Sequence, residues 1–366
     1  MKKFSIRKRY SVLILICLLM VFSRVYSPFA DFYTEKIFPI ITNTFSFISG
    51  LFPFSVGEIL IITGILLVIV GIPVTIILLI FGKKFRRKTL SVVSFLYLFA
   101  FTFVLTTETM NCFIMYQCKP FSEKYLKHSE HTESQITELY SLLIEKANAL
   151  SEQVSRDSMN YFEFTDDVNP EARRAMKKAS ETFNQLKGYY PKAKPIQFSY
   201  FMSQSHLSGI YFPFSLEANY NDDMCRTNLP ETVCHELSHL KGFIQEDEAN
   251  FISFYATTQC SDDLSFQYSG YLSALEYVHN EIYNQNITEA FYLTDSISDN
   301  VRRDWFRFMP DNYWEENKEK EVIPTETVST VSTNAIDTNI KANGRTDGIK
   351  SYSLVVELLL DFYYPD

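Results

Sequence analysis

The chain has 366 residues, which is long enough for one or two domains with a buried core. Its formal net charge of −9 argues against a nucleic acid partner, because phosphate binding needs a basic surface. The charge is unevenly distributed: residues 1–88 contain 12 Lys and Arg against 3 Asp and Glu, whereas the rest contains 22 against 40. A basic, apolar first part and an acidic second part predict two different structural environments.

Three apolar stretches predict transmembrane helices at about residues 10–27, 56–81 and 89–110. A helix needs about 20 apolar residues to cross the hydrocarbon core, and the second and third stretches supply them. Arg24 interrupts the first stretch, but its long side chain can extend to the membrane interface. The alternative for this first stretch is a cleaved signal peptide. We therefore expect residues 1–114 to form a membrane domain in contact with the lipid bilayer.

Basic residues predict the orientation of these helices. One cluster precedes the first stretch, and a second, Lys83–Lys88, lies between the second and third. Because basic loops stay in the cytoplasm, we expect the N-terminus there and the chain after the third helix outside a bacterial cytoplasmic membrane. The loop Pro28–Ser55 has few charges and is rich in Phe and Ile, which indicates a segment lying along the membrane interface.

Residues 115–320 are expected to fold into a mostly helical α+β domain with a small β-sheet. Thr132 and Gln135 have the spacing of a capping box, which opens a helix. Residues 321–348 are rich in Thr, Ser and Asn and predict a loose linker before an apolar C-terminal helix at 349–366. Between them, the predicted elements are a helix from Asn169 to Gly188, strands Pro195–Met202 and Ile210–Ser215, and helices Asn228–Gly242, from Gln245 onward, Phe266–Tyr283 and Asn300–Lys318.

The six cysteines show none of the paired spacings that are typical of zinc sites. Cys112 and Cys118 are near each other in the sequence and are candidates for a disulfide. The alternative is that these thiols are unpaired and partly buried.

A pattern with metal-binding chemistry occurs in the helix predicted at Asn228–Gly242. His235 and His239 are four residues apart, so both imidazoles lie on one face of a helix and can bind the same Zn²⁺. Glu236 lies beside that position, where it can act as a general base toward a metal-activated water and then protonate a leaving amine. We therefore expect His235 and His239 to be metal ligands and Glu236 to be the catalytic residue.

Gly242 ends the predicted helix and lets the chain turn back with a third ligand. Glu246 follows that turn, and Asn250 lies one helical turn later, where its amide can hold a ligand in place. Glu248 is a rival carboxylate on the other side of the helix, whereas Gln245 is a neutral amide and a poorer zinc ligand. We therefore expect Glu246 to complete the metal site, with Asn250 behind it.

HExxH followed by ExxAN resembles the motif of the gluzincin metallopeptidases. The resemblance implies a zincin-like fold with His235, His239 and Glu246 as zinc ligands, Glu236 as general base and Asn250 supporting a ligand. The wider chain also resembles an uncharacterised bacterial family of three-span membrane proteins. It carries a PFS segment in the first loop, a GxxxPFSxEAN strand, the run HELSHLKGFIQEDEANF and a KANGRTDGIKSY segment near its end. This second resemblance implies an architecture and no substrate.

Gly209–Ser215 precedes the metal-binding helix, in the place where zinc peptidases keep an edge strand that binds substrate by strand addition. Tyr211 on this strand, and Glu217 and Asn219 after it, are candidates to line the cleft. The alternative for Glu217 and Asn219 is a solvent-exposed strand end.

These features predict a membrane-anchored zinc metallopeptidase that hydrolyses peptide or protein substrates outside the cytoplasmic membrane. The alternative is a catalytically inactive zinc-binding protein that acts as a docking module in the cell envelope. An enzyme keeps an open coordination position at its metal, whereas a structural site is closed by a fourth ligand. The sequence defines neither the cleavage preference nor the oligomeric state.

Overall fold

The structure is a computed structural model that describes residues 6–321, 323–343 and 352–365. It is mostly helical with one three-stranded sheet, which confirms the α+β expectation. The N-terminal helices are α1 (Ile6–Val25), α2 (Ser27–Phe32), α3 (Phe38–Ser49), α4 (Val56–Leu66), α5 (Ile72–Phe81) and α6 (Arg86–Glu108). The helices that follow are α7 (Phe121–Tyr125), α8 (Glu133–Ser151), α9 (Val168–Ala179), α10 (Ser199–Gln204), α11 (Leu229–His239), α12 (Glu246–Gln259), α13 (Leu264–Gln285), α14 (Thr288–Phe291), α15 (Asp299–Phe308), α16 (Pro310–Glu316), α17 (Thr325–Ala342) and α18 (Tyr352–Tyr363). The strands are β1 (Lys194–Pro195), β2 (Gly209–Phe212) and β3 (Glu217–Tyr220).

Two helices of the described chain are long and apolar enough to cross a membrane. Val56–Phe81 joins α4 to α5 through a π-helical turn, and Arg86–Gln117 extends α6 through another. They contain 26 and 32 residues, and at about 1.5 Å per residue each exceeds the ~30 Å thickness of the hydrocarbon core. Most of their large apolar side chains are exposed, as expected for surfaces that face lipid.

The first of the three predicted spans differs from the other two. Ser11–Val25 and Ser27–Ser49 are long and apolar enough only when taken together, and they meet at an angle of 110°. The bend lies at Tyr26, which leaves helical geometry with φ −130° and ψ 82°. Pro28 lies in the first turn of α2, where its missing N–H is tolerated, but it cannot continue the hydrogen bonds of α1. The described residues therefore contain two clear spans and one bent pair.

One face of the loop expected along the membrane interface packs against the following domain. The loop is largely helical, and in α3 the Thr42 hydroxyl donates to the carbonyl of Leu240 at 2.9 Å. The backbone N–H of Tyr189 donates to Oδ1 of Asn43, also at 2.9 Å. The opposite face of α3 exposes large apolar side chains, which are Ile40, Phe45, Phe47 and Ile48. α3 therefore binds the domain with one face and presents an apolar surface with the other.

The sheet has the order β1-β3-β2, so β3 is central and β2 is an edge strand. β1 pairs with β3 in parallel, whereas β2 pairs with β3 antiparallel, with Tyr211 opposite Ala218. β2 lies where the sequence predicted a strand, and β3 was not predicted. Its four residues follow β2 so closely that they form the second arm of a hairpin.

The prediction of a strand at Pro195–Met202 is wrong. β1 ends at Pro195, and α10 begins at Ser199. Glu58, near the start of α4, accounts for the change. Its carboxylate accepts hydrogen bonds from the backbone N–H groups of Gln197 and Phe198 at 3.1 and 2.9 Å. These two groups precede α10 and are therefore not available for pairing in a longer strand.

The prediction of a loose linker at 321–348 is also wrong for its described part, which contains the helix α17. Thr and Ser are weak helix formers, so composition alone did not predict a helix. Contacts at its start stabilise it: Trp314 Nε1 donates to Thr325 Oγ1 at 2.8 Å, and Glu321 accepts the Thr325 N–H at 2.6 Å. α18 lies within the predicted C-terminal helix, and residues 344–351 are outside the described residues.

The six cysteines are all free, so the predicted alternative of unpaired thiols holds and the disulfide does not form. Cys112 is buried, and the Sγ of Cys118 lies 3.1 Å from the hydroxyl of Thr34.

α11 occupies the centre of the hydrophobic core. It packs against α9, α12, α13 and the two longer strands. Val233, Cys234 and Leu237 on this helix are completely buried. Because a close-packed interior resists displacement, side chains carried by α11 are held in fixed positions.

Candidate metal centre

α11 brings His235 and His239 together, as their spacing predicted. The centroids of the two rings are 4.7 Å apart, and the rings are almost perpendicular, at 88°. One nitrogen of each ring and one carboxylate oxygen of Glu246 lie within 4.8 Å of one another. Zinc ligands lie about 2.0–2.2 Å from the ion, so donor atoms of one tetrahedral site are about 3.5 Å apart. The three side chains are therefore close to the spacing that one ion requires.

A glycine turn ends α11. The N–H of Phe243 donates to the carbonyl of Ser238 at 3.4 Å, and the N–H of Gly242 donates to the carbonyl of His239 at 3.0 Å, which is a Schellman motif. Gly242 has φ +89°, and a Cβ at this position would lie 2.7 Å from Cγ2 of Thr34. Both the backbone conformation and the available space therefore require glycine here.

Glu246 begins α12 directly after this turn. Its Oε2 lies 3.2 Å from Nε2 of His235, and its Oε1 lies 4.0 Å from Nε2 of His239. The rival carboxylate Glu248 is buried and accepts the first backbone N–H of α7 at 2.8 Å. Gln245, the residue before α12, is buried as well. Of the three candidates for the third ligand, the geometry groups Glu246 with the two histidines.

The second ring nitrogen of His239 is held by the same turn. Nδ1 lies 2.7 Å from the carbonyl oxygen of Phe243. A carbonyl only accepts hydrogen bonds, so Nδ1 carries the hydrogen and Nε2 keeps its lone pair on the side of Glu246. The sequence analysis gave such a supporting role to Asn250. In the described part of the chain the Asn250 side chain has no hydrogen bond to a ligand, and its role remains a prediction.

The charges of the cluster are coupled. Burial lowers the pKa of His235, but its hydrogen bond to Glu246 and the neighbouring carboxylates outweigh this effect and raise the pKa to about 9. Partial desolvation by the surrounding protein raises the pKa of Glu246, but the hydrogen bond from His235 and the charges of both imidazoles outweigh this and lower the pKa below its usual range. Burial and the nearby His235 lower the pKa of His239 to about 4. His239 is therefore neutral and ready to bind a metal, whereas His235 has to release a proton.

Glu236 lies beside the cluster and is almost completely buried. Only 4% of its surface is exposed, and its Oε2 has no hydrogen-bond partner among the described residues. Burial raises the pKa of this carboxyl to about 8. Gly209, the first residue of β2, is next to it: a Cβ there would lie 2.4 Å from Oε1 of Glu236. Glu236 is therefore located between the metal cluster and the edge strand.

Glu231 is a buried carboxylate near the cluster that the sequence analysis missed. It lies four residues before His235 on α11, and its Oε1 accepts a hydrogen bond from the Ser253 hydroxyl at 2.6 Å. Burial raises the pKa of Glu231, and the charge of His235 opposes this shift. The signal was in the spacing, because positions 231, 235 and 239 share one helical face.

The three residues predicted to line the cleft differ in their positions relative to the cluster. The Tyr211 ring centroid lies 5.8 Å from that of His239, so Tyr211 does lie next to the cluster. Asn219 is completely buried, and its amide donates to the carbonyls of Ile210 and Glu217, both at 3.3 Å. The prediction for Asn219 is therefore wrong, because its side chain stabilises the hairpin instead of lining a cleft.

Both predictions for Glu217, a place in the cleft and an exposed strand end, are wrong, because its side chain is buried against the start of α4. Val56 and Gly57 are the first two residues of α4. Their backbone N–H groups donate hydrogen bonds to the Glu217 carboxylate, at 3.2 and 2.7 Å. Lys194 Nζ lies 2.5 Å from the same carboxylate. The first N–H groups of a helix have no partner within the helix, and a negative charge there is favourable. Glu217 therefore fixes the start of an apolar span to the sheet.

The donor set fits a zinc ion. Two imidazole nitrogens with one carboxylate oxygen can hold zinc or another transition metal such as iron, whereas calcium and magnesium prefer sites made of oxygen ligands. The side chain of Glu246 is 47% exposed, so the cluster is accessible from solvent. Among the described residues Oε2 of Glu236 has no hydrogen-bond partner, so it is available to a further group beside the cluster.

This combination defines an α+β membrane protein with a candidate three-ligand metal centre. The chain belongs to the family described as "protein of unknown function (DUF3810)", whose profile matches residues 33–360. The matched range includes both apolar spans and every residue of the cluster. No curated protein and no solved structure matches the chain.

Proposed function

We propose that this protein is a membrane-anchored, zinc-dependent metallopeptidase. The observation that carries the proposal is the position of Glu236 between a His-His-Glu cluster and an edge strand. Its carboxyl is buried, and Oε2 has no hydrogen-bond partner among the described residues. A buried polar atom without a partner costs free energy. Such a cost is expected at a site that performs chemistry, whereas a metal site that only stabilises the fold gains nothing from it.

Zn²⁺ held by His235, His239 and Glu246 would supply a Lewis acid for the peptide carbonyl and for an attacking water. Glu236 accepts a proton from that water as the water oxygen bonds to the carbonyl carbon. When the carbon–nitrogen bond breaks, Glu236 returns the proton to the leaving nitrogen. The products are a carboxylic acid and an amine, and Glu236 regains its starting state.

The edge strand supports binding of an extended substrate. The N–H of Asn221 donates to the carbonyl of Ser208 at 2.8 Å. The alternation of an antiparallel pair then turns the backbone groups of Gly209 and Tyr211 away from β3. A peptide added along this edge would pass Glu236, because Gly209 contacts that side chain.

The membrane topology is part of the proposal. The first of the three proposed spans covers about residues 10–27 and ends at the bend before α3, and the two longer helices form the other two. The basic residues near the N-terminus and at Lys83–Lys88 stay in the cytoplasm, so the domain after residue 115 lies outside a bacterial cytoplasmic membrane.

The alternative function, a docking module with a structural zinc site, requires a closed set of four ligands. Three side chains that could bind a metal form the cluster within the described residues, and one of them is 47% exposed. A set of three candidate ligands, accessible from solvent, would leave a fourth position for water or substrate, and this supports the enzyme.

The test measures zinc content and cleavage of a mixed-sequence peptide library. Glu236→Gln keeps the shape of the side chain but cannot accept a proton, so it should retain zinc and lose at least about 100-fold in turnover. His235→Ala removes a ligand and should lose zinc and activity together. If the wild-type protein binds zinc stoichiometrically but cleaves nothing in the library, the enzyme hypothesis is wrong and the docking module is the better explanation.

A further inference from the structure

The edge strand β2 is attached to the outer ends of both apolar helices. The Tyr211 hydroxyl donates to the carbonyl of Asn111 at 3.0 Å, and the Asn111 amide donates to the carbonyl of Pro213 at 2.7 Å. Phe212 packs against Gly57 so closely that a Cβ on Gly57 would lie 2.1 Å from its ring. Asn111 is in the π-helical turn after α6, and Gly57 is the second residue of α4. The substrate-binding edge is therefore connected directly to the helices that cross the bilayer.

Helix geometry gives the height of β2 above the hydrocarbon core. A span of about 20 residues crosses the core, and each further residue adds about 1.5 Å. Counted from Thr89, which follows the basic loop, Asn111 lies about 5 Å above the core. Counted back from Phe81, Gly57 lies about 8 Å above it. The headgroup layer of one leaflet is roughly 5–8 Å thick, so β2 lies in or just above that layer.

α3 supports the same placement of the metal cluster. Its Thr42 hydroxyl is bonded to the carbonyl of Leu240, in the turn between His239 and Glu246. On its other face Ile40 is 69% exposed and Phe47 is 51% exposed. A helix with one apolar face lies in the membrane interface with that face in the boundary between headgroups and acyl chains. The cluster is thus attached to interfacial elements on two sides.

We propose that the substrates are membrane-anchored polypeptides, which are cleaved in the extended stretch that emerges from the bilayer. This inference rests on the proposed peptidase function. An extended chain advances about 3.3 Å per residue, so it reaches the height of β2 after about two or three residues. It then pairs with the four residues of β2, which puts the scissile bond within about eight residues of the anchor.

Sharing a bilayer favours these substrates over soluble ones. Two partners confined to one membrane surface meet at a high effective concentration, which increases the rate without any new contact. A folded soluble protein, by contrast, would have to bring an extended segment into the headgroup layer.

The test uses the zinc-loaded full chain in vesicles of phosphatidylethanolamine and phosphatidylglycerol. The probes are a mixed-sequence 25-residue peptide library with a dipalmitoyl anchor in the same vesicles, the same anchored library in separate vesicles, and the library with an acetyl group instead of the anchor. Glu236→Gln provides the background. We expect the anchored library in the same vesicles to be cleaved at least about tenfold faster than the other two, at sites within about eight residues of the anchor.

Equal rates for the three libraries, or cleavage sites spread evenly along the anchored peptides, would overturn the inference and leave the peptidase intact. If zinc-loaded wild type cleaves no library above the Glu236→Gln background, the proposed function itself is wrong and the inference falls with it. The two failures therefore give different results.

Discussion

Nδ1 of His239 lies 2.7 Å from the carbonyl oxygen of Phe243, four residues further along the chain. That carbonyl has its position because Gly242 adopts φ +89° and reverses the chain after α11. The turn therefore orients one candidate metal ligand, His239, and is followed directly by another, Glu246. A single glycine thus controls the geometry of the candidate centre.

Gly242→Ala should weaken zinc binding even though it removes no ligand. An alanine in this conformation is strained by about 1–2 kcal/mol, and its Cβ would meet Cγ2 of Thr34 at 2.7 Å. Displacing the Phe243 carbonyl disturbs the support of His239, which typically costs 10–100-fold in metal affinity. Zinc competition with a chelator measures the loss. Gly64→Ala is the matched control, because a Cβ there has no neighbour within 4 Å and should leave affinity unchanged.

Glu246→Ala and Glu248→Ala should differ in zinc content. Glu246 lies 3.2 Å from His235, so its removal deletes a ligand and should lower the zinc bound per purified chain. Glu248 accepts a backbone N–H at 2.8 Å, so its removal leaves a buried donor unpaired and should cost about 1–3 kcal/mol of stability without loss of the metal site. Equal zinc retention in both variants would assign the third ligand elsewhere.

Gly209→Ala should impair catalysis more than metal binding. The added Cβ would lie 2.4 Å from Oε1 of Glu236 and 2.8 Å from Cγ2 of Thr232, so either the carboxylate or the edge strand has to move. We expect normal zinc content with turnover reduced at least tenfold, since misplacement by about 1 Å can cost about 100-fold. Ser208→Ala, one residue earlier, serves as the control. A Gly209→Ala variant with wild-type turnover would show that Glu236 does not need its observed position.

Glu217→Gln should destabilise the protein strongly. The substitution leaves the buried ammonium of Lys194 without its counter-charge and weakens the attachment of α4, and breaking a buried ion pair typically costs about 3–5 kcal/mol. Thermal unfolding in detergent measures this loss of stability. The double variant Glu217→Gln with Lys194→Met should lose less stability than Glu217→Gln alone, because it leaves no unpaired buried charge. Glu315→Gln is the exposed control, because its ion pair with Lys318 is on the surface and contributes about 1 kcal/mol or less.

The orientation predicts the behaviour of two reporter fusions. A reporter fused after Tyr116 should be active only if it is one that works outside the cytoplasm, because the chain has then left the last span. A reporter inserted in the Lys83–Lys88 loop should be active only if it is cytoplasmic. The opposite result for both fusions would reverse the topology.

Local patterns in the sequence were sufficient where the physical cause is local. The capping box at Thr132 and Gln135 forms with both of its hydrogen bonds, since it depends on residues three apart. His235 and His239 share a face because of the helical repeat, and Gly242 ends that helix because only glycine tolerates the turn. The two long apolar spans follow from composition alone.

Tertiary structure decided what depends on segments that are distant in the chain. Glu217 lies more than 150 residues after the helix start that it caps, and Glu58 ends a strand almost 140 residues away. The contact of Gly209 with Glu236 likewise exists only because β2 packs on α11. Buried charges and backbone groups bind whichever partner folding brings near them, and no periodicity in the sequence records that choice.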